Sequence, residues 1–327
     1  MERVLRIRMA YNNVYLVRGA GGSVLVDTGP DYDGAWEALQ EGLAHERPAL
    51  VVATHGHGDH AGLGERWQAA GVPVALGRED LHMAVEPGLS DAECKSTSGW
   101  VEASGAPAEV VAHAVAGLRR RLNAREAARG TFPPPGSQPR WPTGLRFRPY
   151  SAEIIVKGDQ ALAGGLRALT LPGHTPGNMV VVDEAAGLLF SGDQLLPDLT
   201  PTPVVQASPA PKPGDGWRFR SLPAFRASLA RLATMRFRTC YPGHGEPFAD
   251  VAGAIALNLG AIDQRTEKVC GALREGGSAT LYELCARIYP RAVKRRFWQI
   301  VPTVQGHLDL LEEEGRVVHD GKRYIST

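Results

Sequence analysis

The run His55-Gly56-His57-Gly58-Asp59-His60 packs three histidines and one aspartate into six consecutive residues. Neutral imidazole and carboxylate are the donors that zinc and related divalent cations take. The apolar stretch before it, residues 49–54, has the length of a strand. On an extended backbone, residues two apart point the same way, so His55 and His57 reach one ion together. If Asp59 and His60 begin the next helix they point elsewhere and can serve a second ion nearby. Gly56 and Gly58 permit the tight backbone that such a loop needs. A polar loop with chance histidines is the bland alternative, and four donors in six positions argue against it.

Three later sites repeat one grammar: an apolar run, then a glycine, then a donor. Leu171-Pro172-Gly173-His174 supplies a histidine, Phe190-Ser191-Gly192-Asp193 an aspartate and Tyr241-Pro242-Gly243-His244 another histidine. Each alone is weak, because Gly-His is common in turns. Following strands, all three would emerge at one end of a sheet beside the first run.

The elements that must position these donors read as α/β. Residues 14–17 and 23–26 form a hairpin ending at Asp27-Thr28-Gly29, 36–43 a helix, 49–54 a strand, 64–70 a helix and 72–76 a strand. The strand 49–54 lacks apolar–polar alternation, as a strand covered on both faces does. Over about 80–130 the strand signal gives way to a helical insertion, closed by the basic run Arg119-Arg120-Arg121 and the stiff segment Pro133-Pro134-Pro135. Strands resume at 153–156, 165–171, 179–182, 187–190 and 238–241, with a second Pro-rich loop over 196–213. The insertion and this loop are expected to shape a pocket. Beyond residue 250 come three helical patterns (251–273, 280–288, 300–313) and two strands around Asp320-Gly321, the order of a winged helix. The chain thus divides into a catalytic domain, 1–250, and a winged-helix-like domain, 251–327.

This motif set resembles the metallo-β-lactamase-fold hydrolase superfamily over roughly residues 10–250, with Asp27-Thr28-Gly29 as a further match. Residues 255–327 resemble the winged helix of its β-lactamase-like protein 2 subgroup. The resemblance implies an αββα sandwich with metals at one edge. It implies that His55, His57 and His174 bind a first metal, that Asp59, His60 and His244 bind a second, and that Asp193 bridges both. Asp27 would orient the motif loop without touching metal. A water shared by two ions about 3.5–4 Å apart becomes hydroxide near neutral pH, with Asp59 or Asp193 moving the proton. Two zinc ions are expected, because imidazole dominates and His57 stands where di-iron relatives carry Glu; iron or manganese suit the donors too. True β-lactamases lack a carboxylate at the place of Asp193, so antibiotic cleavage is not expected. The glyoxalase II relatives end in a helical substrate domain where this chain has a winged helix, so glutathione thioesters are disfavoured.

The expected function is hydrolysis of a small ester, thioester or lactone. The alternative is an endoribonuclease or phosphodiesterase cutting single-stranded RNA with the same metals, helped by Arg291, Lys294, Arg295 and Arg296 interleaved with Phe297 and Trp298. Glu312-Glu313-Glu314 would repel phosphate, which favours a packing or homodimerising role for that module. A net charge of +1 gives little support for a nucleic-acid groove. A binding protein with a vestigial metal site is disfavoured because all seven ligand positions are filled. The four scattered cysteines, the absence of a signal-peptide pattern in the first residues and the lack of an apolar run near 20 residues lead to an expectation of a cytoplasmic enzyme without membrane contact. His82, Tyr150 and Trp217 are weaker candidates for the pocket wall.

Overall fold

The structure is a computed structural model that describes residues 2–10, 12–86, 90–128, 146, 148–197, 205–209 and 216–327, with the side chains of 120–128 outside the description. The expected Pro-rich connection at 133–139, the side chains of Arg120 and Arg121, and most of the loop 196–213 lie outside the described residues.

A first sheet holds β1 (Val4–Arg8), β2 (Asn13–Val17), β3 (Val24–Val26), β4 (Leu50–Val52), β5 (Val74–Gly77) and β6 (Ile154–Val156), paired in that order. β1 to β3 form an antiparallel meander, and β3 to β6 run parallel. A second sheet holds β7 (Gln160–Ala161), β8 (Arg167–Thr170), β9 (Met179–Asp183), β10 (Leu188–Gly192) and β11 (Thr239–Pro242), again in chain order across the sheet. β10 and β11 are parallel, and the other pairs are antiparallel.

Successive side chains of a strand face opposite sides, and here both sides are apolar. Tyr15, Val17, Val24, Val26 and Val52 point inward to meet Ala168, Met179, Val181 and Phe190 of the second sheet. Their neighbours Val14, Leu16, Leu25 and Val51 point outward. That double burial is why the strands read as unbroken apolar runs. The outer face of the first sheet is covered by α1 (Ala35–Gly42), through Leu39, and by α3 (Gly64–Ala69), through Trp67, with α2 (Gly58–Ala61) a single turn between them and β4. The outer face of the second sheet is covered by α7 (Ser221–Ala233), through Leu222, Phe225, Leu229 and Leu232, and by the first half of α8 (Val251–Gly276), through Val251, Ile255 and Ile262. The layers are therefore helix, sheet, sheet, helix, the expected αββα sandwich.

A fourth core joins segments far apart in sequence. After α4 (Leu81–Val85), the insertion helices α5 (Asp91–Ala103) and α6 (Ala108–Ala128) contribute Val101, Val110 and Ala114. These pack with Val269, Cys270 and Leu273 from the second half of α8, and with α9 (Leu281–Ile288) and α10 (Phe297–Glu313). A small sheet in the order β12 (Ser278–Ala279), β14 (Tyr324–Ser326), β13 (Val317–His319) closes the region. Capping boxes, Ser90 with Glu93 and Thr280 with Glu283, satisfy the first amides of α5 and α9. All four cysteines are buried thiols. Among the described residues no helix is long and apolar enough to cross a membrane.

Candidate metal centre

The donors sit at the C-terminal ends of strands. His55 follows β4, His174 follows β8, Asp193 follows β10 and His244 follows β11. β8, β10 and β11 run in one direction, so their ends share one edge of the second sheet. The first sheet is stitched to that edge by Met179 N–H donating to Thr54 O (2.8 Å) and by the Asn13 amide and Tyr15 hydroxyl donating to Pro242 O (2.9 and 2.8 Å). His60 begins its interactions from α2, as the helical reading of Asp59 and His60 expects.

All seven sequence-predicted donors converge on one another. Nδ1 of His57 lies 3.0 Å from Nε2 of His55 and 3.0 Å from Nε2 of His174. Nε2 of His244 lies 3.4 Å from Nε2 of His60 and 3.2 Å from Oδ2 of Asp59. Between these groups stands Asp193, with Oδ2 at 3.4 Å from His174 and Oδ1 at 3.4 Å from both His60 and His244. Three sets of donors are close enough to hold an ion: His55, His57 and His174; His55, His60 and Asp193; Asp59, His60 and His244. His55 and His60 are fully buried and make the floor, whereas Asp59 and His244, at 21% and 30% side-chain exposure, make an open rim.

The inner hydrogen bonds aim these rings. Asp27 Oδ2 receives Nδ1–H of His60 at 2.8 Å, which leaves His60 Nε2 with its lone pair toward the centre. Asp27 Oδ1 accepts from the amide and hydroxyl of Thr54 at 2.8 and 2.9 Å. With its proton spent, the Thr54 hydroxyl accepts from Nδ1 of His55 at 3.2 Å, so His55 also offers Nε2. Asp27 itself has φ 66°, a left-handed conformation that Asp tolerates better than most residues.

Charge balance points the same way. Burial holds His55 well below the usual imidazole range, and the neighbouring histidines add to it. Burial also lowers His174 to about 4, against the pull of Asp193. At His60 burial is outweighed by Asp27, Asp59 and Asp193, and the ring is raised well above its ordinary value. His244 climbs to about 10 as its bonds to Asp193 and Asp59 overcome burial. Burial would raise both acids, but His60 and His244 bring Asp59 down to about 2 and Asp193 well below its usual value. Both acids are drawn toward the ionised form, the form in which a carboxylate binds a cation. Asp193 Oδ1 is buried between two imidazole nitrogens, those of His60 and His244, at 3.4 Å from each. An acceptor of this kind, ringed by imidazole nitrogens, fits a cation between them.

Several residues escaped the sequence reading. Asp80 is fully buried and bonds to loops on both sides of the three-histidine group. Asn12 donates to Asp59 O at 2.6 Å, and Gln206 to His174 O at 3.3 Å. Arg78-Glu79-Asp80 looks like a solvated charge run in sequence, although it follows β5 just as the donors follow their strands. The weaker candidates fare differently. His82 is exposed, Trp217 pairs its backbone with Ser208, and Tyr150 packs its ring against Gly64.

Comparison with known proteins gives the family. The chain is 27% identical over 308 residues to the probable metallo-hydrolase YqjP of Bacillus subtilis, covering 92% of this chain and 88% of that protein. It is 30% identical over 191 residues to human acyl-coenzyme A thioesterase MBLAC2, a match spanning 55% of this chain and 57% of that protein. The crystal structure of TTHA1429, a metallo-beta-lactamase family protein from Thermus thermophilus, superposes with a TM-score of 0.68 at 26% identity, covering 99% of this chain and 98% of that one. The family model for the metallo-beta-lactamase superfamily matches residues 8–244, which run from the end of β1 to the last histidine of the centre, and the chain belongs to that superfamily of metal-dependent hydrolases.

Proposed function

We propose that the chain is a binuclear hydrolase of small thioesters, with esters and lactones as related substrates, and that two zinc ions occupy the centre. The observation that carries this reading is Asp193, whose two oxygens face different donor groups at 3.4 Å. On this reading His55, His57 and His174 hold one ion, Asp59, His60 and His244 the other, and Asp193 both. Two such cations supply Lewis acidity toward a carbonyl and a water of lowered pKa. Iron and manganese are alternative occupants. On this reading Asp59, on the open rim, would take a proton from the attacking water and pass it to the departing thiolate. His55 and His60 exclude bulk water from the floor.

Two features favour a thioester. Relatives named as thioesterases match 55% and 45% of the chain. A cavity of about 730 Å³ adjoins the His174 loop, lined by Pro172 and Pro176 of that loop, by Arg78 and Lys157, which could meet an anionic carrier, and by Glu79 and Glu313. The RNA reading loses its stacking platform. Phe297 is buried in the fourth core, Trp298 packs against that core, and Lys294 lies 3.9 Å from Glu109. We assign the region 251–327 to shaping and bracing the catalytic domain 1–250.

The test is hydrolysis, by thiol release, of acyl thioesters by protein stripped with chelator and then reloaded with zinc, iron or manganese, beside an aryl ester, a lactone and single-stranded RNA. Restored thioester cleavage is the expected result. Activity indifferent to chelator sinks the two-metal reading, and cleavage of RNA alone sinks the thioester reading.

A further inference from the structure

Asp80 belongs to none of the donor groups, yet its carboxylate is fully buried. Oδ2 accepts from the Gly56 amide at 2.9 Å and from the Thr175 hydroxyl at 2.5 Å, while Oδ1 accepts from the Gly177 amide at 2.6 Å. Gly56 stands between His55 and His57, and Thr175 directly follows His174. One carboxylate therefore ties the first-sheet loop that carries two of the three histidines to the second-sheet loop that carries the third.

The chemistry of this tie is one-sided. Every partner is a donor, so the residue at position 80 must present acceptors in both directions and no proton of its own. An amide there turns its NH2 against at least one of the three donors and leaves that donor buried without a partner. The loops also interlock so closely that little can shift. A Cβ added to Gly177 would stand 2.5 Å from the Asp80 nitrogen, and one added to Gly77 would stand 2.0 Å from Gly177 O. The three bonds of Asp80 go to Gly56, Thr175 and Gly177, on the loops that carry His55, His57 and His174.

We propose that Asp80 is a positioning residue that sets the spacing of the His55, His57 and His174 group, and so governs the affinity of one metal of the pair while leaving the other intact. The inference rests on the two-metal reading above. It differs from a general role in folding, which would weaken both metals alike.

The experiment is a cobalt(II) titration of chelator-stripped protein, followed by visible absorption and by metal content after gel filtration. Asp80→Asn and Thr175→Val are compared with His174→Ala and His244→Ala, each first checked for fold by circular dichroism. Wild type is expected to take two equivalents. Asp80→Asn keeps one tight equivalent whose spectrum matches that of His174→Ala and loses affinity for the other by about 10- to 100-fold. Thr175→Val, which removes one of the three bonds, shifts the same equivalent by less, and it carries the test if Asp80→Asn does not fold. Two equivalents at wild-type affinity in both variants, or an equal loss from both equivalents, overturns the clamp while leaving the two-metal reading standing. Wild type that takes up fewer than two equivalents overturns both.

Discussion

Asp193 is where the two donor groups meet, because its oxygens stand at equal distance from His174 on one side and from His60 and His244 on the other. Replacing it with Ala leaves the two donor groups facing each other with no shared carboxylate between them. Asp193→Ala is expected to lower kcat/KM by about a thousandfold, equivalent to roughly 4 kcal/mol of transition-state stabilisation, in steady-state assays of the reloaded enzyme. Asp27 acts at one remove. Asn tolerates the left-handed backbone but cannot accept from His60 and from the Thr54 amide and hydroxyl together. Asp27→Asn should therefore fold and lose about 10- to 100-fold in metal affinity, measured by competition with a chelating dye. The motif donors were legible in sequence because each is a rare residue type at a strand end. Asp80 and Asn12 were not, since their roles come from loops brought together by tertiary packing.

At the scale of elements, the strands could be read because both of their faces are apolar, and the helices of the C-terminal region because their period is regular. β1 went unread. Its Val4 and Ile7 are buried, but Arg6 and Arg8 between and after them pair with Glu246 and gave the segment a charged look. α7 also went unread, although Leu222, Phe225, Leu229 and Leu232 follow a helical period. Pro223, harmless in a first turn, broke the pattern in sequence. Between α8 and α10 lies His307, buried, with Nδ1 donating at 2.8 Å to a Thr266 hydroxyl whose own proton goes to Ile262 O. Burial lowers this ring to about 4 from an ordinary 6.5. Above about pH 6.5 neither folded nor unfolded chain protonates it. As pH falls toward 4 the unfolded chain takes the proton first, so stability is lost by about 3 kcal/mol at most. Denaturant midpoints at pH 7 and pH 5 should differ more for wild type than for His307→Gln.

Across the whole molecule, the catalytic sandwich and the C-terminal region are joined by a buried ion pair. Arg218 donates through both terminal nitrogens to Asp309 at 2.6 Å, and Arg220 reaches Asp309 O and Glu312 at 2.9 and 2.8 Å. Arg218 pairs with Ala207, next to Gln206, the residue bonded to the His174 loop. Asp309 is fully buried, so Asp309→Ala strands the Arg218 charge and should cost about 3–5 kcal/mol by urea unfolding. Because the loosened segment lines the cavity beside His174, KM for a thioester should rise more than kcat falls.

The 26 residues of α8 give one rod about 39 Å long at 1.5 Å per residue, with its first half seated on the second sheet and its second half in the core shared with α5 and α10. A rod cannot fray in the middle without exposing both seats. The two halves of the protein are expected to lose their structure together, and native-state hydrogen exchange should find the interior amides of both halves of α8 opening with a single free energy. Dividing the gene at residue 250 would strip the sheet of its cover as surely as it removed the tail.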